Sequence, residues 1–202
     1  GENIVHLPEV VFAGISIGGT AIVARHIGAG EPEKANRTLR QAMLTAVVLG
    51  AFFAVLWWFL ADQLLLLFRA QPDVAALGRD YIRVNTVSII FFFILYAGEA
   101  MMRGTGDMRT PMFITISQQI FGTILAFILI NGFWFIQPMG VMGAGVARAL
   151  ASFVGAVIVV IMLVKGRGYL KYDLRTALKF DYLEIKRILR IGFPAFLEQA
   201  QM

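Results

Sequence analysis

The sequence lacks cysteine and is poor in charged residues. None of its 202 residues is Cys, and only 15% are Asp, Glu, Lys or Arg. The missing cysteines exclude a disulfide scaffold and a cysteine-based metal or redox site. Soluble domains contain about 25% charged and about 45–50% apolar residues, so a chain with 58% hydrophobic residues has too little polar surface for a water-facing globule. Intrinsic disorder is excluded for the same reason.

Long uncharged segments predict an all-α polytopic membrane bundle. A helix needs about 20 mostly apolar residues to cross about 30 Å of hydrocarbon. The run 110–147 contains no charged residue and is too long for one span, so we expect it to fold back near Gly132 and Pro138. The predicted spans are about 5–27, 42–62, 84–103, 112–130 and 139–164, and a further helix begins at 188.

Basic residues predict the orientation of these spans, because short cytoplasmic loops are enriched in Lys and Arg. The loops at about 25–41, 103–111 and 165–190 contain fourteen Lys and Arg, whereas the alternate loops contain three. We therefore expect these three loops to be cytoplasmic. Because the basic residues lie in these loops, we expect the net charge of +5 to face the membrane surface and not to bind nucleic acid. The first span would then enter from outside, which predicts an earlier crossing and an internal piece of a larger protein.

The basic segment 166–187 has the pattern of an amphipathic helix on the inner membrane face. Apolar and basic residues alternate at helical spacing in it: Tyr169, Leu170, Leu174, Ala177 and Leu178 beside Lys171, Arg175 and Lys179. Asp181 and Glu184 have the spacing of a capping box that opens the next helix. Two interpretations stay open: a tether between two bundles, or a dedicated lipid or regulatory site.

Small residues at helical spacing predict the packed faces, because close approach of backbones replaces the hydrophobic effect in lipid. The predicted packing residues are Gly14, Gly18, Gly143, Ala147, Ala151 and Gly155. The first and fifth spans should therefore lie inside the bundle. The second span and the Phe-rich third span are expected to face lipid in part. Simple packing is the alternative to a ligand site for all of these small residues.

Four segments in order resemble the MATE (multidrug and toxic compound extrusion) transporters. They are GAGEPEKANRTLRQ at 28–41, MRGTGDMRTP at 102–111, PMGVMGAGVA at 138–147 and IGFPAFLEQ at 191–199. The resemblance implies a transporter of twelve helices in two six-helix lobes, with this chain as helices two to six and the start of seven. Its missing partners would be the first helix and the second lobe.

This resemblance also implies a function. A MATE transporter exports cationic or amphipathic small molecules by alternating access, in exchange for Na⁺ or H⁺ and without another cofactor. Two alternatives remain: a lipid-linked glycan flippase of the same superfamily, and a membrane scaffold module that does not transport.

Candidate site residues are the polar side chains within the spans, because an ionisable group near the bilayer centre costs about 3 kcal/mol and usually faces a cavity or a partner. Each of these residues could instead have a purely structural role, which for Glu99 would be an i,i+4 ion pair with Arg103. The pathway candidates are Arg148, Glu99, Glu198, Asn131, Gln118, Gln119 and Tyr96, with Met101, Met102, Met139 and Met142 as adaptable wall residues.

The resemblance departs from the family at the expected cation ligands. The places where one branch of the family has Asn, Asp and Thr ligands hold Phe127, Asn131 and Arg148 here. The coupling ion therefore stays open. His6 and His26 are isolated, and the chain has no nucleotide loop, zinc motif or nucleophile elbow, so we predict neither a metal site nor an enzyme.

Overall fold

The computed structural model describes residues 7–67, 72–132, 137–166, 170–172 and 180–200, with side chains at 12–60, 86–132, 137–140, 142–166, 170–172 and 180–194. The described residues form six α-helices. They are α1 (Leu7–Gly28), α2 (Pro32–Leu67), α3 (Pro72–Gly104), α4 (Arg109–Asn131), α5 (Val141–Lys165) and α6 (Tyr182–Ala200).

Local sequence explains where these helices begin. Pro32 and Pro72 stand first in α2 and α3, where the missing N–H of proline costs no hydrogen bond. Gly106 has a φ of +87° in the tight turn between α3 and α4, a backbone conformation that glycine adopts without strain. The Asp107 carboxylate follows it and accepts the Thr110 N–H at 3.0 Å, so the first turn of α4 is partly capped.

Three helices begin well before the apolar runs that predicted them. The apolar segments were expected to start at 42, 84 and 188, whereas α2 begins at Pro32, α3 at Pro72 and α6 at Tyr182, the last next to the capping-box residue Asp181 as predicted. Hydropathy detects only the part of a helix that lies in hydrocarbon, and charged helix formers such as Arg37 and Arg40 continue the helix into water. Four helices contain a segment long and apolar enough to cross a membrane, among residues with described side chains: Pro32–Leu60, Thr86–Gly104, Arg109–Asn131 and Met142–Lys165.

Most of the residues that define the amphipathic helix expected at 166–187 lie outside the described residues, so this helix stays a prediction. Residues 170–172 and 180–181 are not helical, and 167–169 and 173–179 lie outside the described residues. The backbone folds back onto the bundle: the Tyr172 N–H donates to the Leu163 carbonyl at 2.8 Å, and the Lys171 N–H donates to the side chain of Asn36 at 2.7 Å. These long-range hydrogen bonds hold residues 171 and 172 against α5 and α2.

Helix α3 lies at the centre of the described bundle. It packs against α2, α5 and α1, while α4 packs mainly on α5, and α6 packs on α1. Phe93 of α3 is fully buried and stacks on Phe12 of α1, with ring centroids 4.4 Å apart. Of the four apolar segments, that of α3 is the most buried at 56%, and that of α4 the least at 11%. The third span was expected to face lipid in part, and its surface is divided in this way: Phe93 is buried, whereas Val87 and Tyr96 are exposed.

Candidate functional site

The most enclosed carboxylate within an apolar span of the described bundle is Glu99. It lies near the C-terminal end of α3 and is only 4% exposed. The Thr115 hydroxyl of α4 donates to Glu99 Oε1 at 2.9 Å, and Arg103 Nη1 lies 3.5 Å from Oε2. The Arg103 contact is the i,i+4 pair that the sequence suggested. Thr115 was not predicted, because only the packing of α4 against α3 reveals that its hydroxyl meets this carboxylate.

The methionines that follow Glu99 in the chain lie at the contact between α3 and α1. Met101 and Met102 are buried in the core, and the Met101 side chain packs against Gly19 of α1. The Thr20 hydroxyl, also of α1, donates to the Ala100 carbonyl at 2.9 Å. Met101 therefore joins α1 to α3, and both methionines are buried in this conformation.

Arg148 lies on α5 beside its packed face. Its side chain is exposed, whereas Ala147 and Ala151 are buried. Helix α5 begins at Val141, so Arg148 is about 10 Å along the helix axis from its start. The described contacts do not bring Arg148 to Glu99, whose partners are Thr115 and Arg103. A pathway role for Arg148 stays a prediction.

The remaining candidates on α4 face different directions. Gln118 is half-buried and packs near Gly155 of α5, whereas Gln119 is exposed. Asn131 is exposed and donates to the Phe127 carbonyl of its own helix at 3.0 Å. Asn131 and Gln119 are therefore not assembled with Glu99 into one polar site in this conformation.

Aromatic and methionine candidates lie toward the surface of the bundle. Tyr96 is 40% exposed and its ring lies 4.9 Å from that of Phe92, and Met139 is 39% exposed. Met142 is half-buried. The side chain of Glu198 lies outside the described residues. These positions therefore stay predictions.

Metal ligation was not expected from the two histidines. His6 lies outside the described residues, and His26 Nδ1 lies 3.3 Å from a carboxylate oxygen of Glu31. Lys34 also hydrogen-bonds to Glu31, at 2.7 Å, and this contact lowers the pKa of the Glu31 carboxyl. A group of three or more His, Asp or Glu side chains that could hold a metal ion does not occur in the described part of the chain.

Glycines bring α1 and α6 into backbone contact. A Cβ added to Gly18 would overlap the Ile188 carbonyl oxygen and lie 2.9 Å from the Gly192 nitrogen. A Cβ added to Gly192 would lie 2.6 Å from the Gly14 carbonyl carbon. Gly14 and Gly18 thus lie where sequence spacing suggests a packed face, but Gly192 was missed, because no second small residue at i+4 marks it.

Small residues of α5 pack on two neighbouring helices. A Cβ added to Gly143 would lie 2.7 Å from the Leu129 carbonyl oxygen of α4, and one added to Gly155 would lie 3.1 Å from Leu95 of α3. The buried Ala147 and Ala151 lie between these two glycines on the same face.

Side chains in the first three turns of α2 hold the start of α6. Arg37 forms an ion pair with Asp181, and Gln41 accepts the Asp181 N–H at 3.0 Å. The Thr38 hydroxyl donates to the buried Glu184 carboxylate at 2.7 Å. The Arg37 guanidinium, through its hydrogen bond to Asp181, lowers the pKa of that carboxyl. We call Arg37, Thr38, Gln41, Asp181 and Glu184 the inner clamp.

Only half of the expected capping box forms at this helix start. The Asp181 carboxylate accepts the Glu184 N–H at 3.3 Å. The Glu184 carboxylate does not return to the Asp181 N–H, which Gln41 accepts instead. It bonds to Thr38 and lies 3.3 Å from Arg187. Tertiary contacts with α2 have replaced a local contact.

The helical bundle and its apolar spans define the class: a multi-pass α-helical membrane protein. A family model described as MatE matches residues 2–128, which is more than half of the chain. The chain therefore belongs to the MatE family of MATE transporters.

Curated relatives agree with this assignment. The chain is 31% identical to the probable multidrug resistance protein NorM of Thermotoga maritima, over 94% of this chain and 40% of that protein. It is 25% identical to the probable multidrug resistance protein YoeA of Bacillus subtilis, over 90% of this chain and 40% of that protein. The chain thus spans about 40% of the length of these relatives.

Solved structures show the same fold. One is described as the outward-facing conformation of a multidrug resistance MATE family transporter of the MOP superfamily, with a TM-score of 0.85 and 26% identity over 96% of this chain and 42% of that chain. Another is a MOP superfamily transporter from Pyrococcus furiosus, with a TM-score of 0.82 and 26% identity over 96% of this chain and 42% of that chain. The family resemblance expected from the sequence is confirmed.

Proposed function

We propose that the chain forms most of the first lobe of an antiporter that exports cationic or amphipathic small molecules in exchange for Na⁺ or H⁺. The observation that carries this proposal is the match of the described bundle to a MATE transporter structure, with a TM-score of 0.85 over 96% of the chain. The names of the NorM and YoeA relatives support multidrug export as the activity. Helix α6 would begin the second lobe, which supplies the opposing wall of the central cavity.

The proposed location is the plasma membrane, which in a bacterium is the inner membrane. The loops at about 25–41, 103–111 and 165–190 would face the cytoplasm, because they contain most of the Lys and Arg. The inner clamp then lies on the cytoplasmic side and keeps the start of α6 against α2. Alternating access by relative movement of two bundles would require this junction to bend or open.

Glu99 is our candidate for a carboxylate that responds to the coupling ion. Burial of an ionised group within a span is costly, and Glu99 has a hydroxyl and a guanidinium within reach to support it. A change of its charge would alter the contact between α3 and α4, through Thr115. A purely structural ion pair with Arg103 makes a different prediction, because it would affect stability without affecting coupling.

Dye export tests the proposal. The full reading frame that contains this chain is expressed in a bacterium that lacks its own efflux pumps, and export of a cationic dye is measured under imposed Na⁺ and pH gradients. We expect export that accelerates when one of these gradients is directed inward and stops when that gradient is collapsed. Equal dye retention with and without the protein would overturn the antiporter proposal and favour the glycan flippase or the scaffold module.

Two substitutions test the candidate residues in the same assay. Glu99→Gln preserves shape and removes the charge, so we expect at least tenfold weaker dependence of export on the coupling gradient. Arg148→Ala should reduce export if its side chain faces the substrate path. Glu33→Gln, at an exposed position in the first turn of α2, is the matched control. Unchanged coupling in Glu99→Gln, with normal membrane insertion, would remove Glu99 from the mechanism.

A further inference from the structure

A cavity of about 580 Å³ lies between the inner end of α2 and the start of α6. Its volume is in the range of small-ligand sites, which run from about 300 to 1,000 Å³. The proposed transport mechanism does not use it. The lining residues are Arg37, Arg40, Gln41, Phe180, Asp181, Tyr182 and Leu183.

Charge at this cavity favours an anionic ligand. Arg37 and Arg40 are three residues apart and so lie on one face of α2. Asp181 is the acidic residue of the lining, and its carboxylate already accepts hydrogen bonds from Arg37 and from the Glu184 N–H. A guanidinium has five N–H donors, so the pair with Asp181 leaves Arg37 with further donors, and its side chain is 56% exposed. The two guanidinium groups and one carboxylate leave a net positive lining.

Large apolar side chains form the other part of the lining. Phe180 and Tyr182 are each 65% exposed and Leu183 is 68% exposed. A small hydrophilic anion would leave this apolar surface in contact with water. A ligand with a phosphate at one end and a hydrocarbon chain at the other would satisfy both parts of the lining.

The cavity also lies at the depth of lipid headgroups. Arg40 and Gln41 directly precede the uncharged run 42–61, which is where α2 would enter hydrocarbon. Exposed Lys186 and Arg190 lie further along α6 and add positive charge to the same region. Basic residues at the cytoplasmic boundary of a membrane attract anionic lipids, with about 1 kcal/mol from each Lys or Arg.

We propose that this cavity binds the phosphate headgroup of an anionic phospholipid from the inner leaflet, with Arg40 and Arg37 at the phosphate and Phe180 and Leu183 against the acyl chain. The lipid would bridge α2 and α6 beside the inner clamp. This proposal depends on the cytoplasmic orientation proposed above, but not on the transport activity. Its failure and that of the proposed function are therefore distinguishable.

Native mass spectrometry of the full-length protein in detergent tests the proposal. The probes are dioleoyl phosphatidylglycerol, dioleoyl phosphatidylcholine as the zwitterionic lipid, and glycerol 3-phosphate as the soluble source of the same phosphate chemistry. Arg40→Gln removes one guanidinium from the cavity. Arg25→Gln is the matched control, because it removes one exposed arginine near the end of α1 that does not line the cavity.

We expect the protein to retain phosphatidylglycerol in preference to phosphatidylcholine, and Arg40→Gln to weaken this retention about fivefold, since one basic residue is lost. Arg25→Gln should stay within twofold of the unmodified protein. Arg40→Lys keeps the positive charge and should also stay within twofold, which separates loss of charge from misfolding. Equal losses in Arg40→Gln and Arg25→Gln, equal retention of both lipids, or displacement of the lipid by millimolar glycerol 3-phosphate would each overturn the proposal.

Discussion

The crossing of α1 and α6 makes the sharpest prediction, because its closest contacts are between backbones. An alanine Cβ at Gly18 would lie 2.9 Å from the Gly192 nitrogen, and one at Gly192 would lie 2.6 Å from the Gly14 carbonyl carbon. Ordinary contacts between such atoms are about 3.5–4.0 Å. Rotation of a side chain cannot relieve an overlap with backbone, so the helices must move apart by about 1 Å.

We expect Gly18→Ala and Gly192→Ala each to lower the free energy of unfolding by about 1–3 kcal/mol, which is the usual cost of overpacking. The double variant should cost less than the sum of the two, because the first substitution already displaces α6. Stability is measured by titrating the protein in mixed micelles with SDS and following helix content by circular dichroism.

Gly28→Ala is the control, because a Cβ there would meet nothing within 4 Å. It removes the same kind of residue, from the last position of α1. Effects of Gly18→Ala and Gly192→Ala no larger than that of Gly28→Ala would refute the close crossing. Strict additivity in the double variant would refute the shared displacement of α6.

The inner clamp makes two further predictions. Thr38→Val removes the hydroxyl that donates to Glu184, so the free energy of unfolding should fall by about 1–3 kcal/mol in the same titration, since a buried carboxylate loses a donor. Asp181 has a lowered pKa in the folded chain, so its contribution to stability is present above its ordinary carboxyl pKa and is lost as the pH falls toward the folded pKa. Asp181→Asn should therefore be less stable than the unmodified protein at pH 7, and the difference should shrink in acid.

Glu33→Gln is the control for both clamp variants, because Glu33 is exposed on the first turn of α2 and belongs to no clamp contact. A Thr38→Val variant as stable as this control would show that the buried hydrogen bond contributes nothing. A stability difference for Asp181→Asn that is the same at pH 7 and at a pH below the lowered, folded-state pKa of Asp181 would contradict an ion pair with Arg37.

Much of the fold was accessible from residue type and order alone. The absence of charged residues from long segments predicted membrane-spanning helices. Within the run 110–147, Gly132 and Pro138 predicted the turn between two of these helices. The family resemblance rested on glycine and proline patterns in four short segments, and the family match confirms it. These features are local: each depends on what a segment must bury, or on which residues cannot continue a helix.

Candidate site residues were less accessible, because a polar residue in an apolar run does not reveal what it faces. Glu99 was selected by its charge, but its partner Thr115 emerged only from the packing of α4 on α3. Gln119 and Asn131 looked equivalent to Gln118 in the sequence, yet the structure exposes both of them. Whether a side chain on a helix faces a neighbouring helix or the surface depends on how the helices pack, and the sequence of one segment does not contain that information.

Residue order alone indicated a membrane-spanning chain, its division into helical segments and the family that it resembles. These features can be read from the sequence because solvation and backbone preferences act on each segment separately. Only the tertiary structure shows that α3 is central, that Gly192 contacts α1, and that side chains of α2 bind the start of α6. Those outcomes depend on contacts between helices that are far apart in the chain, such as Phe12 with Phe93 and Thr38 with Glu184, and no local pattern contains the energies of such contacts.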